Sequence, residues 1–428
     1  MATEVEAGAG AAAGSGGADT AADPADEAFG ARQMGGFKDF YQYTWQTRVV
    51  AGRDLLDSAG FEFMKEGAGR VLLVTDAVIR GTGLVDRIEA GVADGGLEVA
   101  GVFDDVPQDS ATTTVEACAA AAKEAGADSF LAVGGGSVMD TAKVAAVLFA
   151  HGGTVHDYEG IYALPRAEDG LGQPLPLPPL ACIPTTAGTG SEVSMAAVVK
   201  DHDAKVKLEL ADFPLFPRLA ILDPDSTRTL PPALAASTGM DAMTHAIEGY
   251  VTPEWSAHND ATALHALRLI RANLERAVHQ PDDDDARGNM LIAASLAITL
   301  SLGATHSMSH PCGAHFGVPH GVANAINLPH VIRFNAAAGD DVAERYRDVA
   351  DALGAETGGS GAAIGDALAH HISDLTSSLG LPQRLSEVGV PEAGIPELVE
   401  GAMGDGCTLL NPREPSEEDF EELFRQAL

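Results

Sequence analysis

The chain has 428 residues, 46% of them hydrophobic, enough for a sizeable core and two or three domains. Acidic residues number 62 against 26 basic ones, a formal charge of −36, which argues against nucleic acid and anionic membranes as partners because their phosphates need cations. No apolar run is long enough for a membrane span, and the four cysteines, Cys118, Cys182, Cys312 and Cys407, show no CxxC spacing, so a reduced, cytoplasmic protein is expected.

Only seven of the basic residues are lysines. Many acids with few lysines is a halophile-like composition, which concerns environment rather than activity. Residues 1–35 are acidic and rich in Ala and Gly, without the basic start and apolar core of a signal peptide, and read as a disordered, solvating tail. Strand and helix signals then alternate. RVLLVTD (70–76) and LEVAGVF (97–103) read as strands, ATTTVEACAAAAKEAGA (111–127) as a helix, and SFLAVGGGS (129–137) as a buried strand running into glycines. TAKVAAVLFAHGG (141–153) reads as a helix and PLACIPTT (179–186) as a further strand. This alternation predicts a mostly parallel sheet with helices on its faces. Beyond DPDSTRTLPP (223–232) the signals are helical, so the expected fold class is α/β followed by all-α.

Two loops follow strands. In VGGGSVMDTAK (133–143), Ser137 can cap the next helix, and Asp140 three residues on fits a capping box. The glycines allow an anion close to the helix N-terminus, although the string is not GxGxxG and a plain tight turn is the alternative. PTTAGTGSEVS (184–194) offers Thr185, Thr186, Thr189 and Ser191 with two glycines, a supply of hydroxyls and backbone N–H groups for phosphate and ribose. Two such loops, each after a strand, favour a nucleotide over two ordinary turns.

In GMDAMTHAIEGY (239–250), Asp241 and His245 lie four apart and share a helix face. His306 and His310 are also four apart, Pro311 is expected to end or bend their helix, and His320 follows fourteen residues after His306. One carboxylate with three imidazoles would suit a catalytic Fe²⁺ or Zn²⁺ with an open position. For Cys312 a buried structural thiol is the expected role.

GGGSVMDTAK, PTTAGTGSEVS, GMDAMTHAIEGY, HSMSHPCGAHFGVPHGVANAINLPHVIRFN and CTLLNPREPSEEDFEELF, in this order over roughly residues 45–428, together resemble the iron-containing (group III) alcohol dehydrogenases. The likeness is especially close to the branch containing lactaldehyde reductase (1,2-propanediol dehydrogenase), which these motifs do not sharply separate from other alcohol dehydrogenases. It implies a dehydroquinate synthase-like fold: a Rossmann-like dinucleotide-binding domain over 45–228 and an all-helical metal-binding domain over 229–428. It implies Asp241, His245, His306 and His320 as metal ligands, with His310 serving as a proton relay beside the substrate. Gly135, Gly136, Ser137, Val138, Met139 and Asp140 would hold the pyrophosphate. Thr185, Thr186, Gly188 and Thr189 would line the nicotinamide side, Lys207 would approach the nucleotide, and Asp76 would meet the adenosine ribose. His315 and His330 match no ligand position.

The implied cofactors are Fe²⁺ (Zn²⁺ or another divalent metal possible) and NAD(H) in preference to NADP(H). The implied partners are a small alcohol or aldehyde and further copies of the chain, a dimer or larger. Three features depart from the pattern: Asp109-Ser110 stands where Asn-Pro is frequent, AGRD (51–54) keeps Gly52 alone of a glycine pair, and the acidic N-terminal tail has no counterpart. The rival readings are a maleylacetate-type reductase, a glycerol-1-phosphate dehydrogenase or dehydroquinate synthase relative, and a non-catalytic nucleotide- or metal-binding protein. PTTAGTGSE and HAIEGY weigh against the second, and the intact ligands and loops against the third.

Overall fold

The computed structural model describes residues 41–168, 171–202, 204, 206–299 and 301–428. The tail expected over 1–35 lies outside them. The first half contains β1 (Arg48–Ala51), α1 (Ala59–Met64), β2 (Arg70–Val74), α2 (Ala77–Arg80), α3 (Leu84–Asp94) and β3 (Glu98–Phe103). It continues with α4 (Thr112–Ala125), β4 (Ser129–Gly134), α5 (Gly136–His151), β5 (Gly160–Ile161), β6 (Leu180–Pro184), β7 (Ala196–Asp201), β8 (Val206–Ala211) and β9 (Leu219–Leu222).

Six strands form one sheet in the order β1-β9-β6-β4-β2-β3, every pairing parallel. Its central strands are near-continuous apolar runs because both faces are covered. Leu72, Val74, Phe130 and Ala132 pack into one cluster, and Val71, Leu73, Leu131 and Val133 into another on the opposite face. From β2 the chain turns to one edge through β3, then back past β2 to β4, β6 and β9. The carboxyl ends of β2 and β4 therefore flank a topological switch point, where open α/β sheets bind ligands. Asp76 and Gly135 sit there side by side despite the long stretch of chain between them, because β2 and β4 pair in register through Val74 and Ala132.

A second sheet, β5-β8-β7, went unread in the sequence. Its β7/β8 hairpin pairs antiparallel from Ala196↔Ala211 to Asp201↔Val206. On β8, Leu208 and Leu210 are buried in the core while Lys207 and Glu209 alternate to the other face.

The second half is helical: α6 (Pro232–Val251), α7 (Ala257–His279), α8 (Asp284–Ala297), α9 (Ala304–Phe316) and α10 (His320–Ala336). These are followed by α11 (Asp340–Leu353), α12 (Ala362–Ser378), α13 (Ile395–Met403) and α14 (Glu417–Ala427). Pro232 opens α6 at its first position, where a missing N–H costs nothing. Pro311 does not end α9, which runs five residues further; its ring packs where Gly401 of α13 leaves room. Among the described residues, no helix is long and apolar enough to cross a membrane.

Candidate metal centre and nucleotide cleft

Asp241, His245 and Glu248 occupy one face of α6, at spacings of four and three residues. His306 and His310 come from α9, and His320 is the first residue of α10. The helices meet closely: a Cβ on Gly321 would lie 2.2 Å from the Ser237 carbonyl oxygen, so only glycine lets α10 approach α6 this way. Asp241 Oδ1 lies 3.5 Å from His320 Nε2 and 4.0 Å from the Nε2 atoms of both His245 and His306. The His245 and His306 rings stack with centroids 4.8 Å apart, and the His306 and His320 centroids are 5.2 Å apart.

Burial holds His245 below the ordinary imidazole range, with the charge of His306 adding to the effect. His320 is pushed well below that range by burial and by the charges of His306, His310 and Lys207, although its side chain keeps 35% exposure toward the cleft. Both shifts favour the neutral imidazole, the form that can coordinate a metal. Asn324, on α10, donates to Asp241 Oδ1 at 2.8 Å; its Nδ2 is 3.2 Å from His320 Nε2 and 3.4 Å from His306 Nε2, and its buried Oδ1 has no partner. The ligand atoms of Asp241, His306 and His320 lie within 4.8 Å of one another and His245 stands beside them, a mixture of carboxylate and imidazole that fits Fe²⁺ or Zn²⁺.

Two acids that sequence reasoning missed anchor histidines here, one holding His306 and the other the neighbouring His310. Glu248 Oε2 lies 2.6 Å from His306 Nδ1, and the carboxylate also accepts from Gly303 N at 2.9 Å and Thr305 N at 2.7 Å. Burial opposes its charge, but His306 and these donors outweigh burial and keep Glu248 below the usual carboxylate range. His306 is raised in turn, since Glu248 overcomes the opposing effect of burial. With Nδ1 engaged by Glu248, Nε2 is the ring nitrogen left toward Asp241, 4.0 Å from its Oδ1. The second acid is Asp405, 2.6 Å from His310 Nδ1 and held near pKa 2, because the hydrogen bond and charge of His310 prevail over burial. The heptad-like spacing Asp241…His245…Glu248 was a readable signal for the first; nothing local pointed to the second.

The two loops, which follow the adjacent strands β4 and β6, pack against each other beside the switch point. A Cβ on Gly136 would meet Thr189 Cγ2 at 2.9 Å, and one on Gly135 would meet Thr186 at 3.4 Å. Thr186 Oγ1 is buried without a partner, an acceptor and donor suited to a bound polar ligand. Ser137 does not cap α5 as expected. Gly135 is the N-cap, and Ser137 Oγ instead accepts from Asp109 N, a residue in the left-handed region at φ +59. Nor does Asp140 complete a capping box; its carboxylate accepts from Ser191 Oγ at 2.7 Å and Val198 N at 3.0 Å, tying α5 to the second loop and to β7. Asp76 Oδ1 caps α2 through Val78 N and Ile79 N, both 2.9 Å away.

Lys207 projects from β8 on the cleft-facing side, near enough for its charge to act on Asp140 and His320. Val138 and Met139 are buried in α5, and Thr185 donates its N–H to the Gly134 carbonyl at 3.0 Å. Gly188 abuts α6, where a Cβ would meet the Thr238 carbonyl oxygen at 2.6 Å. His315 pairs with Glu397 at 2.9 Å. Burial lowers His330 to about 4, and its partner is Gln426. Cys312 is fully buried and its thiol is pushed up to about 12.

Two family models match the chain: iron-containing alcohol dehydrogenase over residues 46–224, and the C-terminal part of the Fe-containing alcohol dehydrogenase family over residues 235–428. The chain is 35% identical over 384 residues to the NAD-dependent methanol dehydrogenase of Bacillus methanolicus, covering 89% of this chain and 97% of that protein. It is 36% identical over 382 residues to lactaldehyde reductase of Escherichia coli strain K12, covering 88% and 96%. The crystal structure of a 1,3-propanediol oxidoreductase superposes with a TM-score of 0.85 at 34% identity, over 91% of this chain and all of that one. These near-equal identities single out no branch.

Proposed function

The chain belongs to the iron-containing alcohol dehydrogenase family, NAD(P)-dependent oxidoreductases of small alcohols and aldehydes, and on that premise we propose that it interconverts a small primary alcohol or diol and its aldehyde, with NAD(H) preferred over NADP(H). The observation that carries this reading is the convergence of Asp241, His245, His306 and His320 beside a cleft lined by two glycine-bearing loops. When bound, a divalent ion held by those four residues supplies Lewis-acid polarisation of the substrate oxygen, and the nicotinamide supplies hydride exchange.

In this reading the chain's own residues do the rest. Gly135 through Asp140 place the N-terminus of α5 against the pyrophosphate. Thr185, Thr186, Gly188 and Thr189 line the nicotinamide side, and Lys207 adds the positive charge a phosphate needs. His310, its Nδ1 anchored on Asp405 and its ring stacked 5.4 Å from that of His320, takes the hydroxyl proton outward. Asp76 meets the adenosine ribose with the carboxylate oxygen not spent on capping α2. There a 2′-phosphate would face a like charge, a disfavour of roughly 1–3 kcal/mol in a partly exposed site.

The test is a panel of methanol, ethanol, 1,2- and 1,3-propanediol and their aldehydes, with Fe²⁺ or Zn²⁺, run with both NAD⁺ and NADP⁺ in molar salt. Turnover of neutral small alcohols with NAD⁺ ahead of NADP⁺ is expected. Activity confined to carboxylate-bearing substrates would defeat the substrate reading, and NADPH preference at every salt concentration would defeat the role of Asp76.

A further inference from the structure

We propose that His310, Asp405 and Cys407 form a second divalent-cation site of soft character beside the first, and that filling it stops turnover. The ligand atoms of these three residues lie within 4.8 Å of one another. They are already held by other contacts. Asp405 caps the 3-10 turn Gly406–Leu410, accepting from Cys407 N at 2.9 Å, which brings a carboxylate and a thiol two residues apart to one side of a single turn. Ser307 Oγ also reaches Asp405 Oδ1 at 3.3 Å and is itself bonded to Thr408 at 2.9 Å. His310 comes from α9, whose position the close packing against α13 fixes.

The donor set is nitrogen, oxygen and sulfur. That mixture selects Zn²⁺, Co²⁺ or Cd²⁺ over Mg²⁺ or Ca²⁺, whereas the Asp241 set contains no sulfur. Glu209 on β8 lies close enough for the charges of His310 and Asp405 to act on it, so a further carboxylate is at hand to neutralise the ion. Without a cation the thiol keeps its proton, since burial and the charges of Asp405 and Glu209 oppose a thiolate. Binding replaces that proton and the imidazole Nδ1 proton, and both leave to solvent as the metal–sulfur and metal–nitrogen bonds form. With its anchored nitrogen taken by the ion, His310 no longer carries substrate protons. This last consequence rests on the role proposed for His310 above.

Full-length protein stripped with chelator and titrated with Co²⁺ tests the proposal. The first equivalent should restore activity without a thiolate-to-cobalt charge-transfer band. The second should bring that near-ultraviolet band and a tenfold or greater loss of turnover. Cys407→Ser should remove the band and the second equivalent while keeping the first and the basal activity. A wild-type protein that takes up one equivalent only, or a second without the band, overturns the proposal, as does retention of the second equivalent by Cys407→Ser. Asp241→Ala provides the separate control. It should lose the sulfur-free equivalent and keep the one with the band; retention of the sulfur-free equivalent would count against the primary site, and loss of the band against this one.

Discussion

At the scale of single residues, the centre depends on carboxylates that fix imidazoles. Glu248 is fully buried, charged, and satisfied by three donors, one of them His306. Glu248→Gln keeps the shape but weakens the acceptor facing His306 Nδ1, so the tautomer that aims Nε2 inward is no longer enforced. Partners of this kind are worth about 10- to 100-fold in metal affinity. A competition titration against a chelator should find a loss of that size; unchanged affinity would mean that His306 orients itself without Glu248. A spacing of four puts Asp241 and His245 on one helix face, which the sequence shows; the full set with His306 and His320 came from the family resemblance, since His320 opens another helix. Glu248 stood on the same face of α6 and was legible in principle. Asp405 was not: its partner His310 is 95 residues away, and only the packing of α13 on α9 brings them together.

Among elements, the approach of α10 to α6 at Gly321 sets the distance from His320 to Asp241. Gly321→Ala forces the helices apart, with a stability loss of roughly 1–3 kcal/mol from overpacking and weaker metal binding as His320 withdraws. Thermal unfolding and metal content of this variant, measured together, should fall together. A second element-scale feature is the buried charge cluster joining α5, β6 and β7. Lys143 is fully buried and donates to Ser194 Oγ at 3.1 Å and the Ala196 carbonyl at 2.8 Å. Burial raises Glu192 from 4.5 to about 7.

A raised carboxyl pKa means that the folded state holds the proton more tightly than the unfolded chain does. Its contribution is intact below about pH 4.5 and is lost as pH rises through about 7. Glu192→Gln should therefore be more stable than wild type by about 1–3 kcal/mol near pH 8 and equal to it near pH 4.5. A variant with the same advantage at both values would rule out ionisation as the cause. The parallel strands of the large sheet were legible as apolar runs ending at glycines. The β7/β8 hairpin was not, because its alternation, AAVVKD then VKLELA, is short and interrupted by charged residues.

For the whole molecule, the charge of −36 belongs to a chain with only seven lysines, one of which, Lys143, is buried. Self-repulsion of that size is screened once the Debye length falls to about 3 Å near 1 M salt. Stability and activity should both rise from low salt to molar KCl. Equal melting temperatures at both extremes would show that the acidic surface is tolerated rather than needed. The two-part division was legible as the loss of strand signals after DPDSTRTLPP. A cleft between the two parts was expected from the family resemblance alone, because no local signal shows the loop after β6 meeting α6, as it does where Gly188 abuts Thr238.

The central claim is that one divalent ion, held by Asp241, His245, His306 and His320, supports NAD⁺-linked alcohol oxidation. The most direct measurement is metal content together with propanediol-dependent NADH formation, on the same preparations of wild type and His306→Ala in molar salt. Wild type should hold iron or zinc and turn over; His306→Ala should stay folded while losing most of both. Full metal occupancy in a folded His306→Ala, or undiminished turnover without metal, would contradict the account.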